Sequence, residues 1–346
     1  MSSHENAAPE AIRSVAIVTD AWFPQVNGVV RTLDNVRREL LEHGVRVTMV
    51  HPGYFRTVPL PRYPEIKLSL LPYGKLAAGL DNLAPQAIHI ATEGPLGLAA
   101  FRYCRRRSLP FTTGYHTQFP LYLQQYAKVP QAAGYRMLRR WHNAAERTLV
   151  PTPSMLRDLE ERGFTGLVQW TRGVDHETFR PRPEAHLDGE KPIILYAGRV
   201  AMEKNLRALL DADVPGTTYV VGDGPALEDL KSQYPEARFT GYKFGDELAE
   251  HFAAADVFVF PSLTDTFGVV MLEAMAAGTP VAAFPVTGPI DVIEDGVTGG
   301  IDDDLAVAIS RARECAPEAC RAQALTYTWE RCAKIFYDTL AAISHI

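Results

Sequence analysis

Short apolar runs alternate with amphipathic stretches along most of the chain. Ser14–Thr19 (SVAIVT) reads as a buried strand, Asp20–Asn27 as a loop containing Pro24, and Gly28–His43 as a helix carrying Val29, Leu33, Val36 and Leu40 before Gly44. Val45–Val50 is the next strand and completes a β-α-β unit. The same alternation predicts strands at Ala87–Ala91, Phe111–Tyr115, Ile193–Tyr196 and Thr218–Val221, and a strand end at Arg238–Tyr242. Helices are expected after the run TEGPLG as far as Arg105-Arg106-Arg107, over Tyr135–Leu149, from Met202 through Leu210, and at Ala306–Arg313 and Glu330–Ile343. Such alternation gives parallel sheets whose ligands sit at the carboxyl ends of the strands. Trp170–Pro183, with prolines at 181 and 183, reads as the crossing between two such domains.

The most informative stretch is Val257–Ala283, VFVFPSLTDTFGVVMLEAMAAGTPVAA. A buried strand, Val257–Phe260, leads through a polar break into a helix over Phe267–Ala277, which stops at Gly278. Glu273 is the one polar side chain in that helix, so it needs a ligand or an internal donor. It shares a face with Val269 and leans toward the first turn, where free amides and the helix dipole favour an anion such as phosphate. A phosphate on the amides beside a hydroxyl-rich group on the carboxylate describes a nucleotide sugar. The alternative is a core helix whose single Glu is paired with a backbone donor or an Arg.

Length and composition narrow the class. At 346 residues the chain suits two domains. It has no run of 18 apolar residues, and MSSHENAAPEAIRS lacks the hydrophobic core of a signal peptide, so a cytosolic protein is expected. Cys104, Cys315, Cys320 and Cys332 have neither CxxC nor zinc-site spacing and read as free thiols. Charge is unevenly shared: Met1–Trp170 holds 20 Lys and Arg against 13 Asp and Glu, net +7, and Thr171–Ile346 holds 15 against 28, net −13. The basic half suits an anionic membrane surface or nucleic acid, or simple attraction to the other half. The acidic second half and the absence of a recognition motif argue against nucleic acid.

Other candidate positions lie at strand ends. Asn27-Gly28 stands at a helix start, where Gly admits a phosphate or sugar close to the backbone, although no GxGxxG is present. Phe111–Tyr115 delivers His116 to a loop, for work on a ligand or for a structural role. Arg199 and Lys204 bracket a strand-to-helix turn where cations meet a diphosphate. Arg136, Arg139, Arg140 and Arg147 beside Tyr135, Met137 and Trp141 suit either an anionic bilayer or a solvated face over packed aromatics.

Taken together, Asn27-Gly28, His116, Gly198-Arg199 with Glu203-Lys204-Asn205, Gly222-Asp223-Gly224-Pro225 and Asp265-Thr266-Phe267-Gly268 ending in Glu273-Ala274 resemble the retaining glycosyltransferases of family 4. The resemblance runs from about Ser14 to the last helix. It implies an α/β protein of GT-B fold, two Rossmann-like domains with parallel sheets facing a central cleft. Residues 1–170 would form the acceptor domain, 171–328 the nucleotide-sugar donor domain, and 329–346 a C-terminal helix packing back toward the first domain. Carried over to matching positions, Arg199 and Lys204 neutralise the donor diphosphate, Glu273 holds the ribose hydroxyls, and the backbone around Phe267, Gly268 and Val269 contacts phosphate or sugar. Gly28 approaches the diphosphate from the other domain, His116 stands near the transferred sugar, and Tyr242-Lys243 lies where the base sits. No metal and no cofactor is implied, because cations and a helix end do the work of a metal ion.

The family pattern has two glutamates separated by seven residues, and here Asp265 occupies the first position, which shortens the reach to the donor sugar. Within the family, TEGPLG, YHTQFP, WTRGVDHETF and TDTFG resemble bacterial enzymes that glycosylate diacylglycerol from UDP-glucose or UDP-glucuronate, and GDP-mannose-dependent mannosyltransferases. The expectation is a peripheral enzyme on the inner face of the cell membrane, its basic first half on anionic lipid, making a glycolipid. A mannosyltransferase acting on a lipid-linked or soluble glycan and a non-catalytic nucleotide-sugar binder are the competing readings.

Overall fold

The computed structural model describes residues 11–60, 63–121, 124 and 128–343; the N-terminal stretch read above for a leader falls, through residue 10, outside the described residues. Among the described residues eight strands belong to the first half: β1 (Ser14–Val18), β2 (Arg46–Val50), β3 (Thr57–Leu60), β4 (Tyr63–Ser69), β5 (Ala87–Ile90), β6 (Thr112–Gly114), β7 (Arg147–Val150) and β8 (Leu167–Gln169). Six belong to the second: β9 (Ile193–Ala197), β10 (Thr217–Val221), β11 (Arg238–Gly241), β12 (Val257–Phe260), β13 (Val281–Ala283) and β14 (Gly299–Ile301). They form two parallel sheets, ordered β2-β1-β5-β6-β7-β8 and β11-β10-β9-β12-β13-β14, and an antiparallel hairpin, β3-β4.

Both sheets are covered on each face, which is why their strands are continuous apolar runs. In β9, Ile193, Leu195 and Ala197 face one core with Phe258 and Met271, and Ile194 and Tyr196 face the other with Val257 and Val259. In the first domain Leu33, Val36 and Leu40 of the helix Gly28–Glu42 pack against Val15 and Ile17 of β1. The chain's last helix, Trp329–Thr339, lies against Gly28–Glu42 and adds Cys332, Ala333 and Phe336 to that core, with Trp170 Nε1 donating to Cys332 O at 2.9 Å. All four cysteines are free.

Several sequence expectations change; the helix expected from Met202 through Leu210, for one, is a 3-10 turn Met202–Lys204 and a helix Leu206–Leu210 divided at left-handed Asn205. The helix over Tyr135–Leu149 is two elements: a helix Gln131–His142 and the strand β7. Asn143 makes the break, its side chain donating to Gly163 O at 3.0 Å and accepting from Thr165 N at 3.0 Å, after which Thr148, Leu149 and Val150 enter the sheet. Tyr135 and Trp141 are buried, so the aromatics are not interleaved with the exposed Arg136 and Arg140, and Arg147 lies on β7. The C-terminal helix stops at Thr339, and Ile343 N instead donates to Gln86 O at 2.7 Å. The helix expected from Phe267 begins at Val269 because Gly268 is left-handed, φ 83°.

Candidate active site

The second sheet has the doubly wound order in which the chain changes direction between β9 and β12, and ligands bind at such a turning point. β9 ends in Gly198-Arg199 and β12 in the loop to Gly268. Between the domains lies a cleft of about 1550 Å³, and Gly28, His116, Arg199, Lys204, Tyr242, Lys243, Asp265, Phe267, Gly268, Val269 and Glu273 all line it. The positions singled out in the sequence thus converge on one space.

On the second-domain wall, Tyr196 Oη donates to Arg199 O at 2.8 Å and fixes the turn after β9. Asn205, itself left-handed with φ 54°, donates to Pro261 O at 3.1 Å and ties this turn to the loop after β12. Lys204 Nζ reaches across to Asp265 at 2.6 and 2.8 Å. A Cβ on Gly268 would lie 2.8 Å from both Met271 Cε and Phe260 Cζ, so the site requires glycine for space as well as for φ. The first turn of the helix Val269–Ala276 then opens onto the cleft. At the rim Tyr242 stacks on Phe244, ring centroids 5.7 Å apart, and Lys243 Nζ lies 3.6 Å from Glu247.

Glu273 is 1% exposed and forms an ion pair with Arg31, from the second turn of the first domain's Gly28–Glu42 helix. Its Oε2 has no hydrogen-bond partner among the described residues. Burial raises its pKa, the Arg31 charge pulls it back, and Asp175 pushes it up again. The internal Arg weighed for this carboxylate is therefore present, with one oxygen left over.

On the first-domain wall, Asn27 Oδ1 accepts from Val30 N at 3.0 Å and caps the helix, and a Cβ on Gly28 would meet nothing within 4 Å, so Gly28 is open to the cleft. His116 is half-buried, with Nδ1 3.5 Å from Arg172 Nη2, its ring edge-on to Trp170 at 5.4 Å, and its buried Nε2 without a partner among the described residues. Burial first, then the Arg172 charge, holds it well below the usual histidine pKa, so it is neutral at pH 7. Arg172 donates to Trp170 O at 2.8 Å and lies 4.4 Å from the Trp170 ring; burial brings its pKa down to about 10. Thr266 Oγ1 donates to His116 O at 2.7 Å, so the two walls also touch beside the histidine.

Arg31 and Arg172 were not singled out in the sequence. Arg31 sits three residues after Gly28, on the side of the helix that follows the loop, which is a usable signal. Arg172 lies in WTRGVDHETF, and nothing in that run announces its burial.

The sequence profile of Glycosyltransferase Family 4 matches residues 26–178, and that of Glycosyl transferases group 1 matches 191–321. A sulfoquinovosyl transferase of Arabidopsis thaliana is 31% identical over 93% of this chain and 72% of its own. A GDP-mannose-dependent alpha-mannosyltransferase of Mycobacterium tuberculosis is 34% identical over 82% of each. An alpha-monoglucosyldiacylglycerol synthase of Streptococcus pneumoniae is 28% identical over 88% of this chain and 79% of its own. Among solved structures, sucrose-phosphate synthase from Thermosynechococcus elongatus superposes with a TM-score of 0.76 at 21% identity, covering 93% of this chain and 96% of that one.

Proposed function

The chain belongs to glycosyltransferase family 4, with the GT-B fold, and we propose that it transfers a hexose or hexuronic acid from a nucleotide-diphosphate sugar, UDP-glucose or UDP-glucuronate, to a membrane lipid, diacylglycerol, with retained anomeric configuration. The observation that carries this reading is the convergence of Arg199, Lys204, the open first turn after Gly268 and the half-satisfied Glu273 on one cleft. Donor diphosphate takes Arg199, Lys204 and the first-turn amides, without a metal ion, and ribose hydroxyls donate to Glu273 Oε2. As the bond from C1 to the β-phosphate oxygen breaks, those cations and dipoles meet the charge that develops, which is the main source of acceleration. The acceptor hydroxyl forms its bond to C1 on the face that the diphosphate leaves, and its proton departs with the diphosphate. Neutral His116 can hydrogen-bond the sugar without repelling the cations around it.

The lipid acceptor rests on the diacylglycerol named for the Streptococcus pneumoniae relative and on the +7 charge of the first 170 residues, which suits a peripheral enzyme on the inner, anionic face of the cell membrane. No helix among the described residues is long and apolar enough to cross a membrane. A second reading, a GDP-mannose-dependent alpha-mannosyltransferase acting on a lipid-linked or soluble glycan, is favoured by the 34% identity to such an enzyme.

Incubation with UDP-glucose, UDP-glucuronate and GDP-mannose in turn, with diacylglycerol vesicles and mass analysis of the lipid, separates the two. Lys204→Ala should lower turnover at saturating donor by roughly 10- to 150-fold, the loss of one charge-assisted contact. Normal turnover in that variant refutes the assignment of Lys204 to the diphosphate.

A further inference from the structure

The first sheet has a turning point of its own, between β1 and β5, and the strands lead into the loop Asp20–Asn27 and into the loop and first helical residues Thr92–Gly97. In the second loop every residue but one serves the fold. Thr92 Oγ1 accepts from Asp20 N at 2.7 Å and donates to Asp20 Oδ2 at 2.9 Å. The same carboxylate accepts from Leu96 N at 2.9 Å and Gly97 N at 3.2 Å, capping the helix Pro95–Arg107. A Cβ on Gly97 would lie 1.8 Å from Thr92 O, and one on Gly94 would lie 2.4 Å from the Asp20 carboxyl carbon. Pro95 opens the helix and Leu96 is buried.

Glu93 is the exception. Its side chain, 12% exposed, lines the cleft, with Oε1 3.2 Å from Nε2 of the buried His142. His142 Nδ1 is 2.9 Å from Thr113 Oγ1, which is 2.8 Å from Thr148 Oγ1. With Nε2–H donating to Glu93, Nδ1 accepts from Thr113 and Thr113 accepts from Thr148, so one buried chain of donors runs toward the carboxylate. This wall of the cleft faces the proposed donor residues Arg199, Lys204 and Glu273. A rigidly held carboxylate in that place suits a neutral, hydroxyl-bearing molecule and repels a second phosphate.

We propose that Glu93 is the acceptor subsite: its carboxylate accepts a hydrogen bond from the hydroxyl of the neutral acceptor that receives the sugar, with His142, Thr113 and Thr148 as positioning residues behind it. The proposal rests on the transferase reading above. Glu93 orients the hydroxyl; the acceptor oxygen bonds to C1 as the bond to the diphosphate breaks, and the hydroxyl proton leaves with the diphosphate.

The test uses the full chain with each of the three nucleotide sugars and three acceptors: diacylglycerol in phosphatidylglycerol–phosphatidylcholine vesicles, phosphatidylinositol in the same vesicles, and glucose. Glu93→Ala should lower kcat/KM for the acceptor by roughly 10- to 100-fold and leave the donor KM unchanged. Glu93→Gln, which keeps an acceptor oxygen, should fall between. His142→Phe should follow Glu93→Ala, and His142→Gln, which retains a donor, should recover most of the activity. Unchanged acceptor kinetics in Glu93→Ala, or donor affinity lost in step with acceptor affinity, overturns the proposal. Should wild type use glucose and neither lipid, the lipid reading fails and Glu93 is judged on glucose. Should it use none of the three, donor hydrolysis supplies the readout, since water then takes the hydroxyl's place, and an unchanged rate in Glu93→Ala overturns the subsite.

Discussion

Replacing Arg31 with Met tests the ion pair that crosses the cleft. Glu273 is 1% exposed, Arg31 holds its Oε1, and its Oε2 has no partner among the described residues, so Arg31 supplies the counter-charge for a buried carboxylate. Breaking a fully buried pair costs about 3–5 kcal/mol. The Arg31 side chain is 44% exposed, and solvent screening lowers the expected loss to about 1–2 kcal/mol. The pH dependence follows from the raised pKa of Glu273, whose ordinary value is 4.5. An acid raised in the folded state contributes its full stability below the unfolded pKa and loses it as pH rises through the folded pKa. Removing Arg31 raises the folded pKa further, so variant and wild type agree near pH 4.5 and separate toward pH 8. Denaturant midpoints at both pH values, for wild type, Arg31→Met, Glu273→Gln and the double variant, measure this. The loss should appear only at pH 8 and vanish in the Glu273→Gln background. An equal loss at both pH values, or in both backgrounds, refutes the reasoning.

Gly268→Ala places a side chain at φ 83° and 2.8 Å from Met271 and Phe260, which should cost about 2–4 kcal/mol; an unchanged melting temperature contradicts that. His89 is buried, its Nδ1 2.9 Å from Thr112 Oγ1, and burial holds its pKa down to about 3. A base lowered in the folded state must discharge to fold, so stability is lost as pH falls below the unfolded value of about 6.5, by about 1.4 kcal/mol per pH unit for this side chain. His89→Gln should therefore show a shallower decline than wild type between pH 6 and 4, and parallel curves exclude this role.

What was legible in the sequence was whatever periodicity and strand ends encode. β9, β12 and the helix before Gly278 are long enough apolar runs to read directly, and the donor-side candidates follow from where those runs end. The boundary at Asn143 was not legible, because Arg147–Val150 continues the helical spacing and the break depends on contacts with Gly163 and Thr165, twenty residues on. The hairpin β3-β4 and the helix Pro153–Glu161 were also passed over, being short or marked mainly by a capping Thr152. Pairings escaped altogether. Glu273 announces that it needs a partner, yet the partner, Arg31, lies 242 positions earlier, and no local pattern joins them.

That missing information concerns the donor's route into the site. Lys204 is held by Asp265 and Glu273 by Arg31, and Asp291 binds Ser154 across the same divide, its Oδ1 accepting from Ser154 N at 3.0 Å. On the proposed assignment, the donor binds by exchanging partners. Its diphosphate competes with Asp265 for Lys204, and an Asp released there is free to accept from sugar hydroxyls. Asp265 holds Lys204 Nζ at 2.6 and 2.8 Å, and on the proposed assignment the more highly charged diphosphate takes the lysine in its place. On that assignment Glu273 needs no such exchange, since its Oε2 has no hydrogen-bond partner among the described residues and Arg31 can stay on Oε1 while ribose binds. If the ribose contact is built in advance in this way and the diphosphate contact is made by displacement, substitutions at Asp265 should act on how tightly the diphosphate is held and those at Arg31 on how well the Glu273 carboxylate is kept ionised.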